Sequence, residues 1–159
     1  MSDIYVDGNI RVSWVSTIAN IAAPTTTELN AGILLTDKIT SDGLVGFEAD
    51  TADVDTTSLA STFNTKGVGR DSFDGTMLRF KKQDGTDTIF NNLTRGTQGY
   101  VVIRRDLPFD TAYASTQKCE VFPVVCGRER NLAPEENTVR RYEIPTKVRS
   151  APELRATIA

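Results

Sequence analysis

Histidine is absent from this 159-residue chain, and the chain has only two cysteines. Without histidine there can be no Ser-His-Asp or Cys-His catalytic site, no His-ligated metal and no imidazole pH switch. Two cysteines are too few for a disulfide scaffold or a four-cysteine zinc site. In a shared strand, Cys119 and Cys126 would point to opposite faces, because their positions differ by seven, an odd number. We therefore expect two buried free thiols in a reducing compartment, with no metal and no cofactor.

Long hydrophobic runs are also missing. The most apolar stretch, Ile18–Ala23, is short and is interrupted by Asn20, so we expect no membrane-spanning segment. The N-terminus is acidic where a secretory signal would be basic. These features predict a protein that is made in a cytosol and stays there.

Segments that begin like nucleotide-binding or calcium-binding loops are not completed. The run Gly67–Gly69 opens a dinucleotide-binding motif, but Ser72 stands where the third glycine is required. A calcium-like start at Asp53 lacks the glycine and the bidentate glutamate that such a loop needs. Nominal carboxylate pairs such as Glu48 with Asp50 belong to no glycosidase signature. We therefore expect that the protein is not an enzyme.

Charge is small overall but unevenly distributed along the chain. Residues 1–74 carry 11 acids and 4 bases, a net of −7, and residues 75–159 carry 10 acids and 14 bases, a net of +4. Either these are ordinary solvated faces, or the molecule has an acidic and a basic side suited to packing against copies of itself. The basic residues are scattered without interleaved aromatic residues, which argues against tight binding of nucleic acid.

Secondary structure is predicted to be mainly β, since threonine is abundant and strand patterns recur. An Asp84-Gly85 turn predicts a hairpin of Thr76–Gln83 with Thr86–Asn91, in which Phe80 faces Ile89 and Lys82 faces Asp87. The run Tyr100–Ile103 is too continuously apolar for an edge strand. The other expected strands are Asn9–Val15, Leu44–Ala49, Gly99–Arg105, Lys118–Cys126, Thr138–Ile144 and a short Arg155–Ile158.

One short helix is predicted near residue 28. Thr25 and Glu28 have the spacing of a capping box, and Gly32 stands where a C-terminal cap belongs. A helix of about two turns cannot organise the fold. We therefore expect a single domain over residues 1–159, a β-sandwich or barrel of about seven or eight strands with one short flanking helix.

Residues 50–76 form a long polar segment with few apolar residues. A compact domain seldom carries so long a stretch without secondary structure unless the stretch has a use. The segment is either a loose surface loop or an arm that a partner orders. Residues 1–9 and 145–159 are expected to be an N-terminal and a C-terminal arm.

Four segments, in this order, carry a resemblance to a known family. They are APTTTELNAGILLTDKIT, GLVGFEADTADVDTTSLASTFNTKGVGRDSF, GTQGYVVIRRDLPF and VFPVVCGRERNLAPEENTVRRYEI. The ordered set resembles the major tail proteins of long-tailed, siphovirus-type bacteriophages, above all those that infect actinobacteria. The resemblance runs from about Ala23 to Thr157 and leaves out the segment before Ile10.

The resemblance implies a tail tube subunit, a β-sandwich with a flanking helix that closes into hexameric rings. Such rings stack head to tail around a tape-measure protein, between tail-tip proteins and a tail terminator, and DNA later passes through the lumen. It implies a place in the virion tail, assembly in the cytoplasm of a host bacterium and no catalytic residues.

Two sets of residues are candidates for roles in such a tube. Phe63, Val68 and Phe73 are expected to be inter-subunit anchors of segment 50–76. At least one of two carboxylate pairs is expected to line the lumen as a negative wall: Glu48 with Asp50, or Asp53 with Asp55. Alternatives to the tube are another virion ring protein, namely a tail terminator or head decoration protein, and an immunoglobulin-like binding module.

Overall fold

The computed structural model describes all 159 residues and is mainly β, which confirms the expected fold class. It contains eleven strands and two short helices, more strands and one more helix than the sequence predicted. In chain order they are β1 Arg11–Val15, α1 Thr26–Asn30, β2 Ile33–Leu34, β3 Ile39–Val45, β4 Asp50–Asp55, β5 Lys66–Ser72, β6 Met77–Lys81, α2 Thr88–Asn92, β7 Gln98–Arg104, β8 Lys118–Cys126, β9 Arg130–Asn131, β10 Arg141–Val148 and β11 Glu153–Thr157. Neither helix has the length and apolar character needed to cross a membrane.

Nine strands form one curled antiparallel sheet in the order β2-β1-β7-β8-β10-β6-β3, with β11 paired to β8 and β9 paired to β10. Strand β10 is where the sheet turns. Its first part, from Arg141 to Pro145, pairs with β6, and its last part, from Thr146 to Val148, pairs with β8. We call β1, β2, β7, β8 and β11 sheet A, and β3, β6, β9 and the first part of β10 sheet B.

Sheet A is buried on both faces, whereas sheet B is covered on one. The larger core cluster lies between the sheets and joins Trp14 and Phe122 of sheet A to Phe80 and Tyr142 of sheet B. A second cluster covers the other face of sheet A, where α1 contributes Leu29. Burial on both faces explains why Tyr100–Ile103 is continuously apolar, and β7 is indeed an interior strand between β1 and β8.

The two cysteines lie in different core clusters, as their spacing predicted. Cys119 belongs to the second cluster and Cys126 to the larger one, so they flank opposite faces of β8. Both are buried and free.

The predicted helix forms as α1. Thr25 is its N-cap, and the reciprocal capping box with Glu28 is present. Gly32 follows the C-cap residue Ala31, but the need for glycine comes from close packing. A Cβ atom at Gly32 would lie 2.6 Å from the carbonyl oxygen of Trp14.

The predicted hairpin over residues 76–91 is wrong in its second half, which forms helix α2. Asp87 is the reason, because its side chain accepts a hydrogen bond from the backbone N–H of Phe90 and thereby caps the helix. The expected pairing of Lys82 with Asp87 nevertheless occurs, at 3.6 Å. Strand β6 instead pairs with β10 and β3, which lie far from it in the sequence.

One further expectation about a chain segment is corrected. The strand expected at Leu44–Ala49 lies earlier, as β3, because Gly46 turns the chain with φ +79°. Residues 145–159 complete β10 and form β11, with Ala156 and Ile158 buried in the second core cluster. Residues 1–9, in contrast, contain no strand or helix.

Candidate assembly interface

Strands β4 and β5 form a separate two-stranded hairpin that projects from the main sheet. The sequence suggested a segment without secondary structure here, but β4 and β5 pair from Asp50–Ser72 to Asp55–Lys66, with a register shift between Thr51 and Asp53. Every residue of β4 is exposed. Strands β4 and β5 pack extensively only against each other. A two-stranded hairpin of this kind has marginal stability by itself, which makes it suited to a contact with another molecule.

The hairpin and its tip expose large apolar side chains. Leu59 is 106% exposed, Val68 is 83% exposed and Phe63 is 74% exposed. Three large exposed apolar side chains on one hairpin favour a surface that a protein partner covers. Phe63 and Val68 therefore lie where an inter-subunit contact could use them.

Phe73, the third expected anchor, is placed differently. It is half-buried at the base of the hairpin, with its ring 5.5 Å from that of Phe122 and nearly perpendicular to it. Phe73 therefore anchors the hairpin to the core of its own chain.

Asp53 and Asp55 share one face of the hairpin, as strand alternation predicted. The Asp53 carboxylate lies 3.0 Å from the ammonium of Lys66 on the opposite strand. The backbone N–H of Thr57 donates to Asp55 and holds the pKa of that carboxyl below its usual value. This face is acidic and also carries Val68, so it combines charge with an apolar contact.

Glu48 and Asp50 do not lie on one strand. Glu48 stands in the bend between β3 and β4, so strand alternation does not place it on a face with Asp50. Both residues are exposed at the base of the hairpin. Glu48 lines a shallow depression together with Asp42 and Phe47. The structure thus brings Glu48 near a second acidic residue that the sequence did not single out.

The N-terminal segment is a second exposed apolar stretch, which was not among the site residues predicted from the sequence. Ile4, Tyr5 and Val6 are all exposed, and the segment is tied to the domain by a hydrogen bond from the N–H of Phe109 to the carbonyl of Gly8. The available signal was the apolar run Ile4–Val6 inside an otherwise polar N-terminus.

A row of ion pairs crosses the outward face of sheet B and was also missed. Arg79 on β6 contacts Asp42 on β3 at 3.2 Å and Glu143 on β10 at 3.1 Å. Glu143 in turn contacts Arg130 on β9 at 2.7 Å. The hydrogen bond to Glu143, aided by Asp42, raises the pKa of Arg79. We call these four residues the ion-pair row.

No arrangement of side chains resembles a catalytic or metal site. No group of three or more histidine, cysteine, aspartate or glutamate side chains could hold a metal ion. Burial raises the pKa of Cys119 to about 11 and that of Cys126 to about 12, so neither is an activated thiol.

The protein is thus a curled β-sheet that carries an exposed apolar hairpin and paired surface charges. The chain belongs to the phage tail tube protein family, whose model matches residues 1–159. This is a family of structural proteins of the virion tail, and the chain is not an enzyme.

A solved structure supports the fold. The chain is similar to a chain in the six-fold symmetrised cryo-EM structure of the anti-feeding prophage baseplate, with a TM-score of 0.59 and 12% identity over 96% of each chain. A comparison with curated proteins gives no match.

Proposed function

We propose that this chain is the repeating subunit of the tail tube of a long-tailed, siphovirus-type phage of actinobacteria, assembled in the host cytoplasm. Six copies close into a ring, and rings stack head to tail around the tape-measure protein. Tail-tip proteins and a tail terminator bind the two ends. The finished tube is the conduit through which DNA is ejected.

The observation that carries this proposal is the hairpin that its own chain leaves uncovered. Head-to-tail contacts join two unlike surfaces, so a projecting element on one copy must meet a different surface on the next. Residues 48–74 carry six acids and two bases, a net of −4, whereas residues 75–159 have a net of +4. An acidic hairpin with Leu59 and Phe63 at its tip suits a neighbour of opposite charge with an apolar seat.

Exposed carboxylates are proposed to face the lumen. Glu48 and Asp50 are the better pair for this role, since they lie at the base of the hairpin, whereas Asp53 and Asp55 extend outward with it. Repetition around each ring would make a negative wall that repels phosphate at short range, within about 8 Å at physiological ionic strength. Lysine substitutions at Glu48 and Asp50 should then slow DNA ejection, and unchanged ejection would contradict this role.

Electron microscopy of the purified chain tests the proposal, first alone and then with the tail-tip and tape-measure proteins as nucleators. Tubes of stacked rings are expected. Single rings that never stack would favour a tail terminator or decoration protein. A strict monomer under all of these conditions would favour an immunoglobulin-like binding module.

Hydrogen exchange tests the role of the hairpin. Backbone amides of residues 50–76 should exchange rapidly in the monomer, because the hairpin packs mainly on itself. They should become protected in the tube. Equal protection of these amides in the monomer and in the tube would show that the hairpin is not part of the inter-subunit contact.

A further inference from the structure

The outward face of sheet B is the one face of the nine-stranded sheet that the chain leaves open. Its inward residues, such as Leu78 and Ile144, lie in the larger core cluster. Its outward residues alternate with these along β6 and β10 and include Arg79, Arg141 and Glu143. Because sheet A is covered on both sides, an assembly that exposes a sheet to a central channel would have to use this face.

Arginines on this face are held by carboxylates. Glu143 is only 9% exposed and lies between Arg79 and Arg130. Arg141, the next outward residue on β10, lies 3.4 Å from Glu135. Guanidinium groups bind phosphate through their forked N–H donors. A guanidinium whose donors are directed to a fixed carboxylate has fewer to offer to a passing phosphate.

We propose that the outward face of sheet B is the channel wall along which DNA moves, and that Glu143 and Asp42 mask its arginines. This rests on the proposed tail tube. The wall keeps the arginines that cross-link its strands, while their pairing with carboxylates leaves passing DNA fewer free guanidinium donors to bind. Glu48 lines the same shallow depression as Asp42, at the exposed end of the row, together with Arg105.

Glu143→Gln tests the masking directly on the monomer, with a fluorescent double-stranded DNA oligonucleotide as the probe. Arg130 loses its carboxylate and Arg79 loses one of two. Each new phosphate contact steepens the fall of log K with log salt by about 0.9. One or two new contacts should therefore tighten binding, and between 50 and 200 mM salt the variant's affinity should fall about three- to twelvefold more than that of the wild type.

Two companion variants keep this test decisive. Asp42→Asn removes the carboxylate at the exposed end of the row. It should also tighten DNA binding, by a smaller factor than Glu143→Gln does. The masking therefore stays testable if Glu143→Gln fails to fold. Asp110→Asn makes the same charge change at an exposed residue away from the row, and should bind DNA like the wild type. If both row variants bind no better than Asp110→Asn, the masking is overturned.

Cysteine labelling of assembled tubes tests the location. The two native thiols are buried, so a cysteine introduced by Lys81→Cys, on the same face, would react selectively. A channel wall should admit a small maleimide and exclude a large polymer-linked one, while the monomer reacts with both. Reaction with both in the tube would place the face outside, and reaction with neither would place it in a protein interface. Either result would overturn the proposal that this face is the channel wall. If the wild type forms no tube, the proposed function fails, whereas the monomer binding test still decides the masking.

Discussion

Arg11 on β1 and Arg104 on β7 lie directly opposite each other, and both guanidinium groups pack against the ring of Tyr113. Their Cζ atoms are 4.8 and 5.3 Å from the ring centre. Like charges opposite each other on neighbouring strands are ordinarily destabilising. Here the aromatic face attracts both cations, so the pair helps to hold the loop that carries Tyr113 on sheet A.

Arg104→Met should destabilise the fold and loosen the loop over residues 105–117. The Arg104 guanidinium donates to the carbonyls of Pro108 and Ala112 and to the side chain of Gln117. Hydrogen bonds to a charged group contribute about 1.5–3 kcal/mol each, so we expect a loss of at least about 2 kcal/mol in denaturant unfolding, with faster amide exchange in the loop.

The neighbouring Arg105→Met is the matched control for that prediction. Arg105 pairs with Glu120 at 3.2 Å but is 43% exposed, and surface pairs of this kind contribute about 0–1 kcal/mol. Equal losses in the two variants would show that Arg104 has no special role in the loop.

Leu59→Ser and Phe63→Ser should impair assembly without destabilising the monomer. Both side chains are exposed on the hairpin tip, so their removal costs the monomer little, whereas an inter-subunit contact would lose apolar burial. Sedimentation at increasing concentration measures assembly, and thermal melting checks the fold. Val139→Ser removes an exposed apolar side chain elsewhere and should assemble normally. Normal assembly of the two tip variants would exclude the tip from the contact.

Asp87 should make part of the stability of the fold depend on pH in the acid range. Burial opposes its ionisation, but N–H donation from Gln83 and Phe90 and the charge of Lys82 outweigh burial and hold its pKa below the usual value. The resulting stabilisation is complete above the unfolded pKa of about 3.9 and is lost as the pH falls through the folded pKa.

Asp87→Asn should therefore unfold more easily at neutral pH and lose less stability below about pH 4 than the wild type does. Denaturant unfolding across that range measures both effects. Asp84→Asn, in the exposed turn nearby, should follow the wild-type curve. Parallel curves for Asp87→Asn and the wild type would contradict the prediction.

Gly99→Ala should be strongly destabilising because β7 passes against the indole ring of Trp14. A Cβ atom at residue 99 would clash with Cζ2 of that ring, which is fixed in the core. Overpacking of this kind costs about 1–3 kcal/mol. Gly67→Ala on the hairpin meets nothing nearer than 3.6 Å and should leave unfolding almost unchanged. A comparable loss in both variants would exclude the clash as the cause.

Both native thiols should resist thiol reagents in the folded protein. Burial raises the pKa of Cys119 to about 11 and that of Cys126 to about 12, so the reactive thiolate is scarce at neutral pH. Reaction with a chromogenic disulfide should require denaturant and then proceed at both sites. Rapid reaction of either thiol without denaturant would show that its side of β8 opens.

The sequence by itself determined the features that depend on residues close together in the chain. The capping box of Thr25 and Glu28 and the interior position of β7 follow from local hydrogen bonding and an apolar run. The separation of the two cysteines across β8 follows from strand alternation in the same way. The mainly β fold class follows from the same local patterns.

Tertiary structure decided what depends on pairing between distant strands. Residues 88–92 form a helix because β6 pairs with β3 and β10 and not with these residues. Asp87 is therefore available to cap α2. Arg79 lies 37 residues from Asp42 and 64 from Glu143, so only the register of the curled sheet brings the three together. No local pattern encodes that register, because it is set by the packing of the larger core cluster behind these strands.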